Sequence, residues 1–74
     1  MEDLEFDGTV DSFVDGEFTL VVAGRENVSG GFISGCKVPW LEKGVKIRVR
    51  GQWAAKAQAT DADWFGTTGY TIKG

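Results

Sequence analysis

Apolar and polar residues alternate with a period of two along several short stretches of this chain. The clearest stretch lies between Gly44 and Gly51, where three β-branched residues alternate with three cations. The β-branched residues are Val45, Ile47 and Val49, and the cations are Lys46, Arg48 and Arg50. Because successive side chains of a strand point to opposite faces, the stretch predicts a strand with one apolar face and one basic face.

The same pattern predicts five strands separated by turns that contain glycine. They cover residues 4–14, 17–23, 28–36, 45–53 and 64–73. Asp15-Gly16 predicts a hairpin turn between the first two strands. Gly8 predicts a bulge or sharp bend within the first strand, whose Leu4, Phe6, Val10 and Val14 share one face. Residues 54–63 predict a long loop, and no stretch shows the 3.6-residue period of an amphipathic helix.

Five short strands with glycine bends in 74 residues indicate one all-β domain, residues 1–74, that folds as a small barrel. The prediction is a five-stranded OB-like barrel with no long helix, in which the first strand neighbours the fourth. The residues expected to be buried together are Phe6, Phe18, Leu20, Val22, Val45, Ile47 and Val49.

Spaced glycine and apolar residues give the chain a resemblance to a known family. The pattern is Phe6-x-Gly8-x-Val10, Gly16-x-Phe18-x-Leu20 and Val38-Pro39-x-Leu41-x-x-Gly44-x-x-Ile47-x-Val49-x-Gly51-x-Trp53. It resembles the N-terminal OB domain of RecD-like helicases, in which a short proline, leucine and glycine turn replaces the usual OB helix. The resemblance implies an accessory domain of a helicase-like protein. The chain has no phosphate-cradling Gly-Lys-Ser/Thr motif, so we expect no ATPase activity from it.

Charge is unevenly distributed along the sequence. The first 24 residues contain seven acidic residues and no Lys or Arg, whereas residues 25–56 contain seven cations and two acids. The whole chain has a formal net charge of −3. This separation is compatible with an anion-binding half, and equally with two neighbouring strands whose side chains neutralise each other.

Composition argues against catalysis. The chain has no histidine, which excludes Ser-His and Cys-His nucleophile pairs. The single cysteine, Cys36, cannot build a zinc site or an internal disulfide by itself. Carboxylate pairs such as Asp61 and Asp63 are expected to be solvated surface charges. We therefore expect no enzyme activity, no metal and no cofactor.

Single-stranded DNA or RNA binding is the first functional prediction, because binders of this class combine a basic groove with aromatic stacking platforms. Trp53 and Trp64 flank the predicted loop near the cations of the fourth strand. The predicted nucleic-acid site therefore comprises Lys46, Arg48, Arg50, Trp53, Lys56 and Trp64.

A protein–protein interaction module without nucleic-acid binding is the alternative. The acidic side chains of the first strand could form ion pairs with the cations of the fourth, and the second strand has no cation on its outward face. Exposed tryptophans would then contact a protein partner. The apolar runs are too short to span a membrane, and the acidic start has no basic n-region, so we expect a cytoplasmic location.

Overall fold

Five strands close into a barrel in the computed structural model, which describes residues 3–54 and 64–74. The strands are β1 (Leu4–Val14), β2 (Glu17–Val21), β3 (Val28–Phe32), β4 (Lys46–Ala54) and β5 (Trp64–Ile72). Their order around the ring is β1-β2-β3-β5-β4, with β4 returning to β1. Only the β3–β5 pair is parallel. The predicted all-β barrel of five strands is confirmed. The described residues form no helix, so none of them belongs to a membrane-spanning helix.

Two of the predicted strands are too long by two residues or more at their carboxyl ends. The strand predicted for residues 17–23 stops at Val21, because a turn follows in which Gly24 has φ of 79°. The strand predicted for residues 28–36 stops at Phe32. Beyond it the backbone N–H of Cys36 donates to the carbonyl of Ile33 at 3.0 Å, which forms a turn instead of a ladder.

The irregularity predicted at Gly8 lies elsewhere in β1. The β1–β2 register shifts between Val10 and Ser12, whereas Gly8 pairs regularly with Ile47 of β4. An extra residue in one strand reverses which side chains face inward beyond it. Phe13 therefore packs against the core and Val14 is 66% exposed, so the expected shared face of β1 is wrong at Val14.

The core fills the inside of the barrel with side chains from every strand. Its buried residues are Val10, Phe18, Leu20, Val28, Leu41, Ile47, Val49 and Phe65. The prediction is confirmed for Phe18, Leu20, Ile47 and Val49. The other three predicted core residues, Phe6, Val22 and Val45, pack against this cluster but are only partly buried, because they lie near strand ends.

Tight backbone approach closes the ring where β3 meets β5. Gly30 pairs with Phe65, and a Cβ atom on residue 30 would overlap the carbonyl oxygen of Phe65. Thr67, further along β5, is completely buried. Its hydroxyl has no hydrogen-bond partner within residues 3–54 and 64–74.

Candidate functional site

The basic row of β4 faces the acidic row of β1 across an antiparallel pair. Arg48 lies directly opposite Asp7, and Arg50 lies directly opposite Glu5. Lys46, the third cation of the row, lies opposite Thr9. Strand register therefore decides which of the three predicted cations can meet a carboxylate on the neighbouring strand.

Arg48 and Asp7 form the closest ion pair among the described residues. Nε of Arg48 donates to Oδ1 of Asp7 at 2.7 Å, and Nη2 donates to Oδ2 at 3.3 Å. The ammonium of Lys73 lies 3.7 Å from the same Oδ1. The hydrogen bond from Arg48, assisted by both positive charges, holds the pKa of Asp7 below its ordinary value of 3.8.

Arg50 repeats this arrangement one step along the ladder, with Nε donating to Oε2 of Glu5 at 3.1 Å. The structure thus shows cross-strand ion pairs, which are one of the two alternatives that the charge pattern left open. The side chain of Lys46 is exposed and has no carboxylate partner in the described part of the chain. Two of the three strand cations are consequently engaged within the protein.

Trp53 closes one end of the barrel as part of an aromatic cluster. Its ring lies 5.8 Å from the ring of Phe6 and 5.3 Å from that of Phe65, measured between centroids. The guanidinium of Arg25 lies 4.9 Å from the Phe6 centroid and 5.4 Å from that of Trp53. Trp53 still exposes 37% of its surface. Sequence reasoning missed Arg25, because nothing in a turn sequence indicates which ring it will cover.

Trp64 lies on the outer face of the barrel wall, away from Trp53. It pairs with Ala54 in β4 and Ser29 in β3, whereas Trp53 pairs with Phe65. The indole lies over Gly31, where a Cβ atom would come within 2.8 Å of Cζ2 of Trp64. The two tryptophans therefore do not form one stacking platform. Lys56, the remaining predicted site residue, lies outside the described residues.

A groove of about 410 Å³ runs over the outer face of β1, β2 and β3 beside Trp64. Its walls consist of two acidic residues, three hydroxyl residues, one aliphatic residue, two aromatic residues and a glycine. These residues are Ser12, Val14, Asp15, Glu17, Phe18, Thr19, Ser29, Gly30 and Trp64. No Lys or Arg belongs to the described lining, so the groove is an unfavourable place for a phosphate.

An apolar surface lies at the end of the barrel where β1 turns into β2. Trp40 is 80% exposed, Val14 66% and Val38 52%. Val38 lies beside the turn, with Cγ1 4.0 Å from the position that a Cβ on Gly16 would take. We call Val14, Asp15, Val38 and Trp40 the hairpin-turn surface.

Trp40 is held loosely within this surface. Its ring and that of Phe13 are nearly perpendicular, with 6.4 Å between their centroids, and its Nε1 donates to Oε1 of Glu42 at 3.4 Å. Neither contact removes much of the indole from water. The nucleic-acid site predicted from the sequence did not include Trp40.

The described residues contain no group of three or more His, Cys, Asp or Glu side chains arranged to hold a metal ion. Cys36 is a free, half-buried thiol. No family model, curated protein or solved structure matches this chain. The resemblance to the OB domain of RecD-like helicases therefore stays a prediction.

Proposed function

We propose that this barrel is a protein–protein interaction module that binds its partner through the hairpin-turn surface. The observation that carries the proposal is Trp40, which leaves 80% of a large aromatic side chain in water. Tryptophan is enriched among the residues that dominate binding energy at protein interfaces. Val14 and Val38, exposed at the same end of the barrel, add apolar area that a partner could cover.

The electrostatics of the barrel support a protein partner over a nucleic acid. Phosphate contacts supply most of the affinity of a nucleic-acid binder, and they require free cations. Arg48 and Arg50 already pair with Asp7 and Glu5. Among the described residues, the lining of the groove over β1, β2 and β3 includes Asp15 and Glu17 but no Lys or Arg. The net charge of −3 adds a general repulsion of polyanions.

Retention of partner proteins from an extract of the source cells tests this proposal. Immobilised wild type and Trp40→Ala are compared, with Ile72→Ala as the matched control because Ile72 is an exposed apolar residue outside the hairpin-turn surface. We expect a protein that wild type and Ile72→Ala retain and Trp40→Ala does not. Thermal melts should show that Trp40→Ala folds normally. Equal retention of every protein by all three variants would contradict the proposal.

Single-stranded nucleic-acid binding, by a cytoplasmic accessory domain of a helicase-like protein, is the second candidate. The observation in its favour is the other end of the barrel, where Trp53 is 37% exposed beside the guanidinium of Arg25. Lys46 is a further cation with no acidic partner among the described residues, but it lies opposite Thr9 at the other end of β4. A labelled oligothymidylate titrated at low and moderate salt tests this candidate, and Arg25→Gln should weaken any binding if that end contacts the strand. No binding at low salt would exclude it.

A further inference from the structure

We propose that the groove over β1, β2 and β3 binds an arginine side chain of the protein partner. This inference rests on the proposed function, because the groove adjoins the hairpin-turn surface. Val14 and Asp15 belong to both. A partner segment that covers Trp40 and crosses the turn would therefore place its next side chains in the groove.

Asp15 supplies the charge that an arginine requires. It is exposed at the turn that opens the groove, and it forms no ion pair within residues 3–54 and 64–74. Glu17 contributes a second carboxylate to the same lining. Hydrogen bonds between a guanidinium and a carboxylate are among the strong ones in proteins, and they favour paired N–H donors.

Trp64 supplies a wall on which a planar cation can stack. Its indole is packed over Gly31, which has no side chain to displace it, and the carbonyl oxygen of Gly16 lies close to the same position. The indole N–H is buried without a hydrogen-bond acceptor among the described residues. Tryptophan is the best aromatic partner for a cation, and arginine is found there more often than lysine.

Hydroxyl groups complete the recognition. Ser12, Thr19 and Ser29 form a row across β1, β2 and β3 that lines the same groove and leads to Trp64. A guanidinium has five N–H donors in a fixed plane, whereas an ammonium is a compact point charge. Several acceptors beside an aromatic wall therefore favour arginine over lysine. A volume of about 410 Å³ also accommodates a long side chain.

The probe for the test is the peptide acetyl-Gly-Arg-Gly-amide, compared with the same peptide carrying citrulline, which keeps the shape and loses the charge. Amide and indole resonances of the 15N-labelled protein are followed during titration. We expect saturable shifts at Thr19, Ser29 and the indole of Trp64 with the arginine peptide, and smaller shifts with the citrulline peptide.

The matched variants are Asp15→Asn and Asp11→Asn. Asp15 has φ of 53°, a conformation that asparagine also tolerates, so Asp15→Asn should fold normally. Losing one charge-assisted pair should weaken binding of the arginine peptide about tenfold. Asp11 lies on β1 outside the described lining, so Asp11→Asn should bind like wild type.

Equal binding of the arginine and citrulline peptides, or an unchanged affinity in Asp15→Asn, would overturn the inference. So would shifts in these same groove resonances on adding oligothymidylate in place of the peptide. Failure of this inference is distinguishable from failure of the proposed function. If Trp40→Ala loses the cellular partner but the arginine peptide does not bind, the interaction module stands and the arginine site falls.

Discussion

Two glycines of β3 leave space that neighbouring residues of the barrel occupy. Trp64 lies where Gly31 has no side chain, and β3 reaches β5 where Gly30 has none. The opposite case is Thr67, whose fully buried hydroxyl has no partner in the described chain. A buried hydroxyl without a partner opposes folding, because its hydration is lost and not replaced.

We expect Thr67→Val to raise the free energy of unfolding by about 1 kcal/mol, since it removes an unpartnered buried hydroxyl and keeps the branched shape. Urea denaturation measures the change. Thr71→Val is the control, because Thr71 is exposed on the same strand. A loss of stability in Thr67→Val, with Thr71→Val unchanged, would show that the hydroxyl makes a stabilising hydrogen bond.

We expect Gly31→Ala to displace the indole of Trp64, because the added methyl would lie 2.8 Å from Cζ2. The shift of the Trp64 indole N–H resonance reports the displacement. Gly69→Ala is the control, since its nearest neighbour would be a flexible arginine end at 3.9 Å. An unmoved Trp64 resonance in Gly31→Ala would contradict the packing described for the groove.

The β1–β4 pair shows what a two-residue period establishes about an element and what it leaves open. Alternation identified both faces of β4 and placed Ile47 and Val49 in the core. It could not locate the bulge of β1, because a register shift depends on β2 and not on β1 alone. It also could not choose between a basic binding site and an ion-pair ladder. That choice needs the register that sets Arg48 against Asp7.

The two faces of β4 should respond very differently to truncation. Ile47→Ala should lower the free energy of unfolding by about 2–5 kcal/mol, because it leaves a cavity in the core. Arg48→Ala should cost a small fraction of that, since exposed ion pairs contribute little. Urea denaturation of both variants gives the comparison. Equal losses would mean that the assignment of inward and outward faces is wrong.

The ion-pair ladder should also make stability depend on acid pH. The pKa of Asp7 is lowered in the folded protein, so its contribution is fully present above about pH 4 and is lost as pH falls further, through the folded-state pKa. The melting temperature of Asp7→Asn should therefore lie below that of wild type at pH 7 and converge with it in acid. Asp11→Asn is the control, because Asp11 forms no ion pair within the described residues. A constant difference between Asp7→Asn and wild type at all pH values would contradict this account.

In the whole molecule, closure of the barrel brings the acidic first third of the chain next to its basic middle. The ring brings β1 back beside β4, so two acids of the first block pair with two cations of the second on one side of the wall. The remaining sides present the groove lined by Asp15 and Glu17, and the exposed indole of Trp40. The barrel could be predicted because a local alternation of apolar and polar residues marks each strand in the sequence. The sequence did not predict this groove, which requires three strands and an indole from a distant fourth.

We propose that Arg48 and Arg50 pair β4 with β1 and do not bind phosphate. Thermal melts and oligothymidylate titrations of wild type, Arg48→Glu and Asp7→Lys/Arg48→Glu test it most directly. We predict a lower melting temperature for Arg48→Glu, because two acids then face each other, and partial recovery in the double variant, where Lys73 opposes the new cation. None of the three proteins should bind the oligonucleotide appreciably. An unchanged melt of Arg48→Glu, together with loss of oligonucleotide binding that wild type shows, would contradict the claim.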